Sequence, residues 1–230
     1  MPRRLRIGTA GFVYHVLNRA TKRVPLFESE SDYAAFEQLL FDAKQRAAVR
    51  LLAYCLMPNH WHLILCPQQD GDLSRFMHWL TVTHAQRWHA LHQTSGTGGV
   101  YQGRFKAIPV QSDHHYLIAC RYVERNPLRA NLVGDARAWR WSSLWRRINF
   151  YDAELLDEWP ISRPPDWVDC VNQPQTEGEL EAIRQAISRG APLGDTDWRR
   201  ETARSLSLES SLRPKGRPPK EKDSRPLFSL

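Results

Sequence analysis

The strongest constraint on the fold is an apolar, strand-like run at residues 56–65 that carries two imidazoles one residue apart. Successive strand residues point to opposite faces, so His60 and His62 project from one side of a sheet with Cα atoms about 6.6 Å apart. Trp61 and Leu63 fall on the other side and can pack against helices. The pair could bind one metal ion, or it could simply occupy a solvated sheet face, because His-x-His alone is a weak motif.

A second group of reactive side chains lies about sixty residues downstream, where residues 116–127 are predicted to form a helix that ends at its proline. Tyr122 and Asn126 are four residues apart and therefore share one face. A phenol has a pKa of about 10, so its attack on a phosphodiester needs a metal-polarised phosphate, for which two histidines and an amide oxygen can supply ligands. Tyr122 could instead be a core residue. The chemistry alone also does not exclude Tyr116, on the same predicted helix, as the nucleophile in its place.

The order of the predicted elements indicates an α+β domain. Strands are expected at residues 12–17, 50–56, 61–66 and 104–110, and helices at residues 31–48, 73–92 and 116–127. This order is close to the ferredoxin-like arrangement, in which helices pack on an antiparallel sheet. Such a sheet can present His60 and His62 towards a neighbouring helix.

The balance of charge changes sign along the chain and divides it into three segments. Residues 1–150 carry 20 Lys and Arg against 10 Asp and Glu, residues 151–212 carry 6 against 13, and residues 213–230 carry 6 against 2. We interpret them as a catalytic domain, a small acidic C-terminal extension and a basic, disordered tail. This asymmetry is typical of a nucleic-acid enzyme with a regulatory or bridging extension.

Basic residues near the predicted nucleophile and in the tail are the expected DNA contacts. They are Arg104, Lys106, Arg121, Arg125, Arg129, Lys215 and Arg217. Phosphate contacts of this kind contribute affinity and register rather than base identity. The tail resembles an AT-hook, with Lys215 where the usual core has arginine, and its Gly-Arg-Pro core could enter a narrow minor groove. Alternatively, the tail is a disordered segment that adds only weak electrostatic attraction.

The cysteines and the apolar runs exclude several other classes of protein. Four cysteines are widely spread and no Cys-x-x-Cys occurs, so neither a closed zinc site nor a disulfide framework is expected. No apolar run approaches the roughly 18 residues of a membrane span, and the basic amino terminus lacks the apolar segment of a secretory signal. We therefore expect a cytoplasmic, nucleoid-associated protein without a membrane partner.

Several motifs in the same order resemble one family. They are Met57-Pro58-Asn59-His60-Trp61-His62-Leu63, Gly103-Arg104-Phe105-Lys106, the segment from Tyr122 to Pro127 with Leu128-Arg129-Ala130 after it, and Trp141-Ser142-Ser143. Together they are similar to the REP-associated tyrosine transposases, which are single-tyrosine members of the HUH endonuclease superfamily. The resemblance covers residues 8–147. It implies the ferredoxin-like HUH fold, His60, His62 and Asn126 as metal ligands, and Tyr122 as the nucleophile.

The same resemblance implies Mg²⁺ or Mn²⁺ as the metal and single-stranded or hairpin DNA of the REP type as the partner. The function that follows is a metal-dependent endonuclease and strand transferase that forms a 5′-phosphotyrosine intermediate and a free 3′-hydroxyl. Two alternatives stay open: a non-catalytic nucleic-acid-binding regulator and a metal-dependent hydrolase that uses water. Single-tyrosine chemistry is compatible with a monomer or a homodimer.

Overall fold

The computed structural model describes residues 8–149 and 154–213, and its centre is a four-stranded antiparallel sheet. The strands are β1 (Val13–Arg19), β2 (Val49–Met57), β3 (His60–Pro67) and β4 (Lys106–Val110). Their order is β2-β3-β1-β4, and every neighbouring pair is antiparallel. This arrangement confirms the predicted α+β, ferredoxin-like fold. It also places β3, which carries the two histidines of the motif, beside β1 in the middle of the sheet.

Helices cover both faces of the sheet. They are α1 (Glu30–Lys44), α2 (Asp72–His92), α3 (His114–Glu124), α4 (Asn126–Arg129), α5 (Ser143–Ile148), α6 (Trp167–Asn172), α7 (Glu177–Arg189), α8 (Thr196–Ser205) and α9 (Glu209–Leu212). The packing places α1 and α2 on one face and α3 on the other. Within the described residues, no helix is long and apolar enough to cross a bilayer.

Successive side chains of β3 pack alternately into two hydrophobic cores, one on each face of the sheet. Trp61 and Leu63 are fully buried in the core under α1 and α2, whereas Ile64 is buried in the core under α3. From the sequence alone, the two histidines could have occupied a solvated sheet face. In the structure α3 packs over that face, and His62 is only 3% exposed. His60, at the start of the strand, stays half-buried.

The predicted helix over residues 116–127 is two helices in the structure. The first, α3, ends at Glu124, and α4 begins at Asn126 with Pro127 in its first turn. Proline has no N–H and its ring clashes with the preceding turn, so it interrupts the hydrogen-bond ladder but suits a helix start. Arg125 keeps helical dihedral angles between them. Asn126 therefore lies near Tyr122 in space but belongs to a different helix.

The described part of the acidic extension packs directly against α3. Trp167 and Val171 of α6 and Ile183 of α7 belong to the same core as the buried residues of α3. Next to them, the backbone N–H of Leu193 donates to the Pro109 carbonyl oxygen at 2.8 Å, which adds a parallel bridge at the edge of β4. The division at residue 150 remains a prediction. Most of the basic tail, including Lys215 and Arg217, lies outside the described residues.

Glu124 connects α3 to the segments that follow it. Its carboxylate is fully buried, lies 2.5 Å from Ser143 Oγ and accepts a 2.7 Å hydrogen bond from Trp167 Nε1. Burial raises the pKa of this carboxyl group above its usual value. Ser143 Oγ also contacts the Tyr54 carbonyl oxygen and accepts from the Tyr54 N–H. A protonated Glu124 can donate to Ser143, which then donates to Tyr54, so the neutral acid satisfies the whole network.

We expect Glu124→Gln to be at least as stable as the wild type at pH 7, because an amide satisfies Ser143 and Trp167 without burying a charge. A raised pKa in the folded state means that the carboxyl group stabilises the fold below its ordinary pKa of 4.5 and loses this contribution as the pH rises through the folded pKa. The variant should lack that pH dependence. Glu124→Ala should cost about 3 kcal/mol, since it leaves Trp167 Nε1 unpaired.

Urea unfolding of the three chains at pH 4.5 and pH 7 measures these differences. The prediction fails if Glu124→Gln loses as much stability between the two pH values as the wild type does.

Candidate active site

Two central strands bring three histidines to one side of the sheet. Besides His60 and His62 of β3, β1 contributes His15, whose Nε2 lies 2.9 Å from Nδ1 of His62. The register pairs Leu17 with His62, so His15, two residues before Leu17, projects from the same face. The ring centroid of His62 is 5.1 Å from that of His15 and 5.1 Å from that of His60. The three rings therefore form one continuous cluster.

His15 was not predicted from the sequence as a member of this cluster. The available signal was a histidine within the apolar alternation of the first predicted strand, where an unexplained polar side chain is unexpected. The contact of Asn59 with the cluster was not predicted either. The Asn59 Oδ1 atom lies 2.8 Å from Nδ1 of His60.

Tyr122 faces the cluster from α3. Its ring centroid is 5.8 Å from that of His62 and 5.9 Å from that of His15, and both contacts are edge-on. The residue is 7% exposed. Among the described residues, no donor or acceptor engages the Tyr122 hydroxyl group. The hydroxyl is thus left for a group that enters the site from outside.

Tyr116 is remote from the histidines. It is fully buried, and its ring packs edge-on against Trp159, at a centroid distance of 5.3 Å. Burial raises the pKa of its phenol far above the usual value. The residue does not line the cavity that contains the histidine cluster. Of the two tyrosines that the sequence left open, only Tyr122 lies where an incoming phosphate could meet the histidines.

Asn126 and Arg129 complete the cluster. The guanidinium carbon of Arg129 lies 4.0 Å from the centroid of the Tyr122 ring, and its Nη2 donates to Asn126 Oδ1 at 2.9 Å. Asn126 is 3% exposed, and its buried Nδ2 has no hydrogen-bond partner among the described residues. Such an orphaned donor costs about 1–3 kcal/mol. A ligand oxygen at this position would offset that cost.

The cluster opens into a cavity of about 230 Å³. Its lining consists of Leu17, Asn18, Arg19, His60, His62, Tyr122, Asn126, Arg129 and Ile187. This lining contains two arginines and no carboxylate. The cavity is therefore electrostatically suited to an anionic group such as a phosphodiester.

Burial keeps the imidazoles of the cluster neutral. It lowers the pKa of His60 to about 4 and that of His15 to about 3, and nearby arginine charges reinforce both shifts. The pKa of His62 is lowered well below its usual value for the same reason, with the neighbouring histidines contributing. A neutral imidazole keeps one nitrogen lone pair for coordination. Because Asn59 Oδ1 can only accept, the proton of His60 lies on Nδ1 and its Nε2 carries the lone pair.

These donors fit a divalent metal ion. The available ligand atoms are the Nε2 atoms of His60 and His62 and the Oδ1 atom of Asn126, whose second lone pair is not used by Arg129. Two imidazole nitrogens suit Mn²⁺ or another transition metal better than Mg²⁺, which prefers oxygen ligands. The three donors are neutral, and the lining of the cavity holds no carboxylate. Additional oxygen ligands for the metal ion would therefore come from the substrate or from water.

A second group of possible metal ligands lies at the start of α3. Ligand atoms of Asp113, His114 and His115 are within 4.8 Å of one another. Asp113 Oδ1, however, accepts from the backbone N–H of His115 at 2.7 Å and lies 2.9 Å from its Nδ1. This carboxylate is the N-cap of α3, which accounts for the arrangement without a metal ion.

Two of the predicted DNA contacts lie beside the cavity of the histidine cluster. Arg104 and Lys106 line an adjoining cleft of about 580 Å³, which shares Asn18 and Ile187 with that cavity. Both basic residues are exposed, and Lys106 Nζ donates to the Ile187 carbonyl oxygen at 3.0 Å. The cleft is walled by α2 on one side and by the end of α7 on the other. The acidic extension thus forms part of both cavities.

Arg121 and Arg125 are engaged by the extension instead of facing the cavity. Arg121 Nη2 donates to the carbonyl oxygens of Gln173 and Pro174 at 2.9 and 2.8 Å. Arg125 Nη1 donates to the Val171 carbonyl oxygen at 2.8 Å and to that of Asn172. The last carbonyls of a helix lack partners within it and carry partial negative charge, so guanidinium groups are favourable there. Phosphate binding by these two arginines remains a prediction that requires the extension to release them.

We expect Arg125→Ala to loosen α6 from α3, because a charge-assisted contact with two carbonyl groups is lost. Hydrogen exchange of the α6 amide groups should become at least about tenfold faster. The matched control is Arg200→Ala, since Arg200 is exposed and its one ion pair among the described residues is with Asp197 at 3.5 Å. Equal exchange rates in α6 for both variants would contradict a docking role for Arg125.

The sequence matches the family of IS200-like transposases over residues 9–126, which is just over half of the chain. The chain belongs to this transposase family. The matched segment contains His15, His60, His62 and Tyr122, and it ends at Asn126. Family membership makes the protein a DNA-cleaving enzyme and confirms the resemblance found in the sequence. No curated protein matches the chain significantly.

A solved structure supports the fold of this transposase. A REP-associated tyrosine transposase bound to a REP hairpin is similar with a TM-score of 0.54 and 17% sequence identity, over 71% of this chain and 99% of that chain. A Deinococcus radiodurans R1 protein, provisionally described as a transposase, has a TM-score of 0.39 and 16% identity over 56% of this chain and 95% of that chain. The first match supports the ferredoxin-like arrangement, and the second carries no further argument.

Proposed function

We propose that this transposase is a metal-dependent, single-strand-specific DNA endonuclease and strand transferase with Tyr122 as its nucleophile. The observation that carries the proposal is the meeting of Tyr122, two metal-competent histidines and Arg129 in one cavity. The unengaged hydroxyl of Tyr122 supports the same assignment. The alternative tyrosine, Tyr116, is enclosed in the core.

In the proposed reaction, the Tyr122 oxygen attacks the scissile phosphorus. A bond forms between that oxygen and phosphorus as the phenol gives up its proton, and the bond from phosphorus to the 3′ oxygen breaks. The 3′ oxygen takes up a proton and leaves as a hydroxyl, so the step consumes no net proton. Arg129 can pair with a phosphate oxygen and stabilise the charge that develops on it. Mg²⁺ or Mn²⁺ held by His60, His62 and Asn126 would polarise the phosphate.

The 5′-phosphotyrosine product explains how one site can both cut and join. A 3′-hydroxyl from another strand can attack the phosphotyrosine, release Tyr122 and form a new phosphodiester. The covalent intermediate keeps the free energy of the broken phosphodiester bond. The joining step therefore needs no separate source of chemical energy. A water-dependent hydrolase would lose this energy at the first step.

We propose hairpin-forming, REP-type single-stranded DNA as the substrate, on the basis of the resemblance and of the basic surroundings of the site. The strand would run from the active-site cavity into the adjoining cleft, where Arg104 and Lys106 would contact its phosphates. Lys215 and Arg217 of the AT-hook-like tail would add contacts to a minor groove. The assembly that acts on this DNA is a monomer or a homodimer.

The experiment is incubation of the full chain with Mn²⁺ and a labelled single-stranded hairpin, followed by denaturing electrophoresis. The proposal predicts a covalent protein–DNA adduct. Cleavage without an adduct would point to a water nucleophile. Tight binding with neither cleavage nor adduct would identify a nucleic-acid-binding regulator instead.

A further inference from the structure

We propose that His15 is a positioning residue, which accepts a hydrogen bond from Nδ1 of His62 and so directs the Nε2 lone pair of His62 towards the metal site. The inference rests on the proposed function because it takes His62 as a metal ligand. His15 itself would touch neither the metal nor the DNA. Its role would be to fix the tautomer and the ring orientation of its neighbour.

The geometry of the pair carries the inference. His15 Nε2 and His62 Nδ1 are 2.9 Å apart, and both side chains are almost completely buried. Two neutral imidazoles can share this contact in only two ways, because one nitrogen must donate and the other must accept. If His62 donates from Nδ1, its Nε2 carries a lone pair. If His15 donates from Nε2, the proton of His62 lies on Nε2 and coordination through that atom is blocked.

The neighbouring histidine shows which arrangement suits the site. His60 has a partner at its own Nδ1, and this partner, Asn59 Oδ1, can only accept. Each of the two histidines on β3 thus has, beside its Nδ1, an atom that can accept a hydrogen bond. Both histidines can then present Nε2 to the cavity. Hydrogen-bonded partners of this kind fix the tautomer and orientation of metal-binding histidines in general.

The strand pairing explains why β1 supplies the partner. Residues on adjacent antiparallel strands approach diagonally across the sheet face, and the register of Leu17 with His62 sets His15 at such a diagonal position. The rings of His15 and His62 lie at 29° to each other with centroids 5.1 Å apart. The unprotonated ring nitrogen of an imidazole accepts a hydrogen bond, so His15 Nε2 is able to serve as the acceptor for Nδ1 of His62.

The first measurement needs neither DNA nor metal. Two-bond ¹⁵N–¹H correlation spectra of the full chain labelled on histidine report which nitrogen of His62 carries the proton. The wild type should show His62 protonated on Nδ1. His15→Phe, which keeps an aromatic ring but removes the acceptor, should lose this tautomer, and His15→Gln should restore it because an amide oxygen can reach a similar position.

The second measurement is the affinity for Mn²⁺, followed by electron paramagnetic resonance. His15→Phe should weaken binding about 10- to 100-fold, and His15→Gln should bind nearly as the wild type does. The matched control is His84→Phe. His84 is also a buried histidine with a hydrogen-bonded ring nitrogen, 2.7 Å from the Tyr101 hydroxyl, but it belongs to the opposite face of the sheet. Its variant should keep the affinity of the wild type.

Three results would overturn the inference: a wild-type His62 protonated on Nε2, no Mn²⁺ binding by the wild type, or unchanged Mn²⁺ affinity in His15→Phe. The first of these requires no variant, so a variant that does not fold cannot leave the question undecided. The proposed function fails separately. A wild type that binds Mn²⁺ through a correctly oriented His62 but forms no adduct with DNA would disprove strand transfer by Tyr122 and leave the positioning role intact.

Discussion

Tyr122→Phe should abolish the covalent protein–DNA adduct and lower strand cleavage at least about 1,000-fold, because it removes the attacking oxygen while keeping the ring. The ring still packs against His15 and His62 and beneath Arg129, so the fold of the site should persist. Binding of the uncleaved hairpin should therefore remain close to that of the wild type. Denaturing electrophoresis with labelled DNA measures the adduct, and fluorescence anisotropy measures the binding.

Tyr116→Phe is the matched control for that experiment. Both substitutions remove one phenolic oxygen, and both tyrosines lie on α3 six residues apart. The Tyr116 hydroxyl is buried and has no hydrogen-bond partner among the described residues, so its loss should cost little stability. This variant should form the adduct at nearly the rate of the wild type. If Tyr122→Phe keeps the adduct and Tyr116→Phe loses it, the assignment of the nucleophile is wrong.

His60→Ala should lower both Mn²⁺ affinity and the yield of adduct at least about 100-fold. His60 is half-buried at the beginning of β3, so its truncation removes a ligand without opening the core. Electron paramagnetic resonance of the full chain with Mn²⁺ measures the affinity, and the adduct assay measures the chemistry. Because both quantities depend on the same ligand, they should fall together.

His114→Ala controls for metal binding elsewhere. His114 belongs to the other group of possible ligands, at the start of α3, where Asp113 acts as the helix cap. The substitution should change neither Mn²⁺ affinity nor adduct formation. Loss of Mn²⁺ binding in His114→Ala, together with normal binding in His60→Ala, would show that the metal ion binds at the start of α3 and not in the cavity.

Local sequence patterns predicted the elements of the sheet and the chemistry-bearing positions on β3 and α3. The period of two in the strand placed His60 and His62 on one face, and the structure brings Tyr122 and Asn126 to that face within one cavity. The same local reasoning overextended the nucleophile's helix. It counted four residues from Tyr122 to Asn126 as one turn of a single helix, although a separate helix begins at Asn126.

Contacts between distant segments were beyond local patterns. His15 joins His62 through the pairing of β1 with β3, and the register of two strands is not encoded in either strand alone. Arg121 and Arg125 are close to the predicted nucleophile in the sequence. This position led to the prediction that they bind DNA phosphates. Their actual acceptors are carbonyl groups about fifty residues later, and no local pattern predicts that these groups lie beside the two arginines.

The packing of α6 and α7 on α3 limits how this protein can be shortened. A truncated chain that stops after Arg129 would retain the matched family segment but would bare the side of α3 that Trp167, Val171 and Ile183 now cover. A contiguous apolar surface of this kind drives self-association. The excised family segment should therefore aggregate. Polar side chains in place of the bared residues should restore its solubility. We therefore expect the folded unit of this transposase to extend beyond the segment that matches its family.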